Sequence, residues 1–267
     1  MFPLWEIALA PILEAASPRR VLEIGALRGD TTRLLLEALG GESELHVIDP
    51  EPKFDTDEVE RERPGRIVFY RDLSLKVLPV LPPMDAALID GDHNWYTVYN
   101  ELACLRRTSR AAGLPLPVCV LHDVAWPYAR RDLYYAPETI PVEFRQEHAR
   151  AGIVPHARRL VPNGGLNAHL DNAVNEGGPR NGVLTALEDF VAEHDQPIRK
   201  VVLPVHFGLA VVAEESRLVA TPALGEALDR LESPGTLRAL VEFVNELWLR
   251  DQVALQAASA RSQANEG

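Results

Sequence analysis

The stretch from Val21 to Thr32, read together with Asp49, constrains this chain more than any other. Val21-Leu22-Glu23-Ile24 is a short apolar run with an acid near its end, the pattern of a buried strand. Gly25 and Gly29 follow, and glycine lets a backbone turn tightly and approach a ligand closely. Thr31 and Thr32 stand where they can cap an amphipathic helix through Leu34, Leu35, Leu36 and Leu39. A second strand, Leu45 to Ile48, ends in Asp49, about 20 residues beyond Gly29, the separation at which an acid meets a pair of ribose hydroxyls. Strand, glycine turn, helix and strand-end acid predict a nucleotide-type pocket at the mouth of a doubly wound sheet.

The chain continues in the same rhythm. After a Pro- and charge-rich loop over 50–65 come strands at Arg66–Tyr70, Met84–Ile89 and Val118–Leu121, separated by a helix through Val77 and Leu81 and another from Tyr96 to Arg110. Strands alternating with helices imply an α/β sheet with helices on both faces, and right-handed crossovers put every strand's carboxyl end on one edge. Glu23, Asp49, Asp72, Asp90 and His122-Asp123 should therefore converge there, where such sheets bind ligands.

The alternation breaks at residues 125–180, which are rich in Pro, Gly, Asn, Arg and Tyr. A long irregular segment directly after the fifth strand predicts a mobile substrate lid, with Gly164-Gly165 and Gly177-Gly178 as its flexible points. Its aromatics (Trp126, Tyr128, Tyr134, Tyr135, Phe144) either stack on a ring-shaped substrate or pack the insertion onto the body. A helix over 181–194 and strands at 200–203 and 208–213 follow, the strands spaced as an antiparallel edge pair. The expected fold is a Rossmann-like, doubly wound seven-stranded sheet with its last strand antiparallel and the lid inserted after the fifth strand. One domain spans 1–267: a cofactor core (18–124), the lid (125–180), a final helix and strands (181–213) and carboxyl-terminal helices (214–267). The longer tail helix is apolar on one face, which suits either intramolecular packing or a homodimer.

With 46% hydrophobic residues over 267, the chain can bury a full core. A formal charge of −12 argues against nucleic acid or a membrane surface as partner. Cys104 and Cys119 lie in apolar-periodic segments, as buried free thiols do. The first residues carry Glu6 and Pro11 and no basic run, unlike a signal peptide or a membrane span, so a cytoplasmic protein is expected.

The glycine spacing is not that of a dinucleotide site, because the second glycine of G-x-G-x-x-G is absent and an acid precedes the turn. A cationic or zwitterionic ligand carrying a ribose fits better. The Leu22-Glu23-Ile24-Gly25 run with Gly29, Asp49, the Arg71-Asp72-Leu73-Ser74 turn and Ile89-Asp90-Gly91-Asp92-His93 together resemble class I S-adenosylmethionine-dependent methyltransferases. More narrowly, they resemble the group that includes metal-dependent sugar O-methyltransferases of antibiotic and polysaccharide pathways. The likeness covers residues 18–124.

The resemblance implies S-adenosyl-L-methionine as cofactor, held by Glu23, Gly25, Gly29, Thr31, Asp49, Asp72, Leu73 and Asp90. Asp49 would meet the ribose, and Asp72 and Leu73 would lie beside the adenine. It also implies Mg²⁺ or Mn²⁺ on Asp90, His122 and Asp123, although a histidine there departs from an all-carboxylate set and leaves a metal-free site open. His122 and Asp123 read equally as a hydrogen-bonded pair closing the strand. Methyl transfer to an alcohol needs a base, and His93 is the candidate; it could instead cap the following helix or hold the lid. The acceptor class is a sugar or glycoside, such as a mannoside. The other readings are a metal-independent O-methyltransferase of small molecules and a non-catalytic cofactor-binding scaffold.

Overall fold

A computed structural model describes residues 1–265. Five strands, β1 (Arg20–Ile24), β2 (Glu44–Ile48), β3 (Ile67–Tyr70), β4 (Ala86–Ile89) and β5 (Val118–His122), lie parallel because a helical crossover follows each of the first four. The chain then forms β6 (Leu133–Tyr134), β7 (His148–Arg150) and β8 (Asp171–Ala173) and returns to the main sheet with β9 (Ile198–Leu203) and β10 (Leu209–Glu214). The order is β3-β2-β1-β4-β5-β10-β9, and β10 runs against both of its neighbours. This is the Rossmann-like, seven-stranded sheet expected, with the last strand reversed.

Side chains alternate between two cores, as period-two strands must when both faces are covered. Val21, Ala86, Leu88 and Val211 face one side, where α1 (Ala10–Ala16) and α2 (Asp30–Ala38) pack. Leu22, Ala87, Ile89 and Val212 face the other. Between β2 and β4 come α3 (Thr56–Glu62) and the short α4 (Ser74–Val77), then α5 (Trp95–Ala111). Helix α6 (Val183–Ala192) packs beside α5 and buries Leu187 and Phe190 in the second core. The tail forms α7 (Glu215–Ala220), α8 (Pro222–Leu231), whose Leu224 and Leu228 complete the first core, and α9 (Pro234–Asn265). Helix α9 buries Leu240 and leaves Leu237, Val241, Val244 and Trp248 exposed. No helix among the described residues is long and apolar enough to cross a membrane. Both cysteines are free and buried.

Three expectations need correction. The loop over 50–65 contains α3, because Asp55 accepts a hydrogen bond from the amide of Glu58 at 3.0 Å and caps a helix that charged residues had masked. Thr31 and Thr32 do not cap α2. Gly29, at φ +76°, occupies the cap position, and the Thr32 hydroxyl instead donates to Glu23 Oε2 at 2.7 Å.

The insertion is the third. It carries a three-stranded antiparallel sheet, β6-β8-β7, built around buried polar groups, where an irregular segment was expected. Asp132, fully buried, accepts from the amides of Trp95 at 2.8 Å and Gly182 at 2.6 Å and from the Tyr134 hydroxyl at 2.7 Å. Arg131, also fully buried, donates to the carbonyls of Ala173 and Arg158. Asn172 Nδ2 donates to the carbonyls of Ala151, Asn167 and Leu170. Gly152 and Gly165 permit a close approach, since a Cβ on Gly152 would stand 1.7 Å from the Gly164 oxygen and one on Gly165 2.9 Å from the Gly152 carbonyl carbon. Phe144 stacks on Trp95 at 5.9 Å, with Arg180 over both rings, and fastens the insertion to α5.

Candidate active site

Parallel register decides which side chains meet. Ile24 lies opposite Ile48 on one side and Ile89 on the other, and Ile89 lies opposite Leu121. The next residues, Gly25, Asp49, Asp90 and His122, therefore form one rim. Gly25 is obligatory there: its φ is +87°, and a Cβ would sit 2.3 Å from the Asp90 carbonyl oxygen.

Asp49 organises the loop above this rim. Its Oδ2 accepts from the amides of Ala26 at 2.9 Å and Leu27 at 2.8 Å, and its Oδ1 from Glu51 at 2.8 Å. Thr31 is buried at the start of α2. Glu23 is buried under the loop, and burial pushes its carboxyl up to about 8, with Thr32 opposing and Asp90 and Asp49 adding to the rise. Asp72 follows β3, whose Tyr70 lies opposite Ile48, and is exposed. Its Oδ1 pairs with Lys76 at 2.9 Å and accepts from the Leu73 amide at 2.7 Å, and both hydrogen bonds lower its pKa.

The chemistry-bearing groups gather after β4 and β5. Ligand atoms of Asp90, His93 and Asp123 lie within 4.8 Å of one another, a spacing that can hold a metal ion. His93 Nε2 is buried, 3.0 Å from Asp123 Oδ2 and 3.7 Å from Asp90 Oδ1, yet it makes no hydrogen bond because the geometry is out of line. A buried nitrogen without a partner, flanked by two carboxylates, fits a divalent cation. That donor set has His93, the expected base, in the place expected of His122.

His122 plays another part. Its Nδ1 lies 2.9 Å from Asp123 Oδ2 and 3.1 Å from Asp90 Oδ1, and its Nε2 lies 3.0 Å from the His206 carbonyl oxygen. Every neighbour is an acceptor, so both nitrogens carry hydrogen. Burial works against the charged ring, but Asp90 and Asp123 outweigh it and raise its pKa to about 9. In return, and against burial, the two histidines hold both carboxyls well below the usual carboxylate range. Asp123 takes φ +61°, a left-handed conformation uncommon outside glycine, which turns its carboxylate back toward the rim. The Met1 amino group also donates to Asp90 Oδ2, at 2.8 Å.

Asp92 is occupied elsewhere: it accepts from Asn94 Nδ2 at 2.6 Å and the Thr97 hydroxyl at 2.7 Å, and burial raises its pKa. Asn94, not His93, caps α5, accepting from the Thr97 amide at 2.8 Å. His93 is thus free to face the rim.

Three contacts were not legible in the sequence. His206, Phe207 and Gly208 all have positive φ, a turn that aims the His206 carbonyl at His122. Tyr135 reaches His93 Nδ1 with its hydroxyl at 3.3 Å, and Tyr128 lies parallel to the His93 ring at 5.5 Å. The aromatic composition of the insertion was the available signal, without a position.

Residues 22–124 match a family model described as a methyltransferase domain. The match ends one residue past Asp123, so it contains the glycine turn and all four rim groups from Asp90 to Asp123. No curated protein matches the chain in sequence. Among solved structures, the O-methyltransferase TomG of Streptomyces achromogenes, involved in tomaymycin synthesis and bound to SAM, is 17% identical, with 78% of this chain and 79% of that chain covered and a TM-score of 0.45. An O-methyltransferase from Bacillus cereus in complex with SAH is 15% identical, with coverages of 78% and 80% and a TM-score of 0.46. SAH-bound PaMTH1, a methyltransferase of Podospora anserina, is 18% identical, with 76% of each chain covered and a TM-score of 0.45.

Proposed function

We propose that this protein transfers a methyl group from S-adenosyl-L-methionine to a hydroxyl of a sugar or glycoside, with a divalent cation, Mg²⁺ or Mn²⁺, on the rim. The observation that carries this reading is the cluster of Asp90, His93 and Asp123 beside the glycine turn of a methyltransferase domain. The buried acids of the rim suit a cationic sulfonium donor, and Asp49 and Gly25 shape the loop against which it would rest. Asp90, Asp123 and His93 would hold the cation, which when bound lowers the pKa of an acceptor hydroxyl and fixes its position. His93 Nε2 is the nitrogen placed to take the hydroxyl proton when it is not itself a ligand. The insertion's Tyr128 and Tyr135 wall this spot, and the exposed ring of Tyr135 offers a face to a sugar.

A second reading has its own support. His122 already sets a positive charge between Asp90 and Asp123, as a metal-independent methyltransferase using His93 alone would require.

Incubation with labelled S-adenosylmethionine and a panel of mono- and oligosaccharides tests the first reading. Transfer that stops with EDTA and returns with Mg²⁺ or Mn²⁺ supports it. Full turnover in excess EDTA selects the second, and cofactor binding without transfer to any hydroxylated acceptor defeats both.

A further inference from the structure

Helix α9 leaves the body before it ends. Its first half is anchored: Leu240 is buried, and Phe243 packs against the first core with its ring 6.0 Å from that of His206. From Trp248 to Ala257 every side chain except the half-buried Gln252 is exposed. The exposed side is nevertheless apolar. Leu237, Val241, Val244 and Trp248 are 63, 61, 44 and 57% exposed. They recur at intervals of four, three and four residues, the a/d spacing with which one helix receives another. Leu240, Phe243 and Leu247, buried or half-buried, form a separate seam toward the body, so the outer seam has no partner within the chain among the described residues. A contiguous apolar strip of this kind marks a contact surface. The next position of the repeat is Asp251, and it decides what can lie there.

We propose that α9 pairs with α9 of a second copy of this chain, antiparallel, along Leu237, Val241, Val244 and Trp248. A two-fold axis between Glu242 and Phe243 sets Trp248 on Leu237 of the second copy and Val241 on Val244. Each contact then occurs twice, as a closed two-fold interface requires. The same register carries Asp251 to the start of the other helix, beside Arg238 and the positive end of the helix dipole. Both charges are exposed and, among the described residues, neither enters an ion pair within the chain, whereas Arg250 pairs with Glu246. The strip and its flanking charges thus complement a copy of themselves. A parallel, in-register pair would instead set two Asp251 carboxylates face to face, which like charges oppose. Sliding the antiparallel pair by one heptad would bury Asp251 against Val241. The paired stretch from Leu237 to Asp251 is about 21 Å long. Four apolar layers make a contact smaller than a standard interface of about 800 Å² per partner, so association should be micromolar rather than nanomolar.

The test is sedimentation of the full chain over about 1–100 μM, where a reversible monomer–dimer equilibrium is expected. Trp248→Glu changes a side chain that is exposed in the single copy, so the variant should fold, with Tm unchanged at high dilution. It should weaken association roughly 30-fold or more, as loss of a central aromatic does. Asp251→Arg and Arg238→Asp should each weaken the dimer, and the two together should restore most of it. Those residues lie about 20 Å apart along one helix, and equally far apart in a parallel pair, so rescue reports the antiparallel register alone. A chain that stays monomeric at every concentration overturns the proposal, as does a dimer indifferent to Trp248→Glu or a double variant that is not rescued. A monomer that floats with phosphatidylcholine vesicles gives the strip to a lipid surface and overturns it too. None of these readouts depends on the reaction at the rim.

Discussion

His122 Nδ1 lies 2.9 Å from Asp123 Oδ2 and 3.1 Å from Asp90 Oδ1, so one imidazolium braces a buried and a half-buried carboxylate at the ends of adjacent parallel strands. Coulomb repulsion between the acids is relieved by a charge on the same rim. Replacing His122 with Leu removes that charge and leaves the acids only His93 and the Met1 amino group beside them, which costs about 3 kcal/mol. For a chain of this length the loss lowers Tm by roughly 10 °C. Mg²⁺ or Mn²⁺ should restore more of Tm in the variant than it adds to the wild type, because the cation replaces the lost positive charge. Thermal unfolding with and without the ion checks both statements.

Glu101 is buried on α5, with its Oε1 accepting from the Ser74 hydroxyl at 2.5 Å and its Oε2 unpartnered. Burial lifts its pKa from 4.5 to about 8. Between those values the native chain holds a proton that the unfolded chain has released, so stability falls as pH rises from about 4.5 to 8. Glu101→Gln should therefore be more stable than the wild type near pH 8, by about 2–4 kcal/mol, with the advantage vanishing below pH 4.5. Urea titrations at several pH values measure this. An equal pH slope in both proteins would contradict it.

The insertion should behave as part of the body. Amides of β6 and β8 should resist hydrogen exchange without any ligand, since their sheet is anchored by fully buried Asp132, Arg131 and Asn172. Asn172→Ala removes the donors to three carbonyls, at a cost of about 1–3 kcal/mol. Exchange within residues 133–173 should then quicken while β1 and β4 stay protected. Rapid exchange of the wild-type insertion would restore the picture of a mobile lid.

Gly25→Ala places a methyl group 2.3 Å from the Asp90 carbonyl oxygen, at a φ of +87° that alanine tolerates poorly. The strain alone is worth about 1–3 kcal/mol. The tips of β1 and β4 must separate, so S-adenosylmethionine binding, read by calorimetry, should weaken beyond detection even where the variant folds. Retained affinity would mean that the cofactor rests elsewhere.

By itself, the sequence determined the layered sheet, the reversed last strand and the rim on which Gly25, Asp49, Asp90, His122 and Asp123 meet. Hydrophobic periodicity and chain-order rules act locally, and β-strand register turns local order into adjacency. The tertiary structure decided the rest. It set His93 among the carboxylates, because Asn94 took the capping role; it made His122 a brace, because the turn at His206 aims a carbonyl at it; and it folded the insertion. Those outcomes depend on hydrogen-bond partners 30 or more positions away, such as Asp132 with Trp95 and His122 with His206, and no local pattern encodes such pairings.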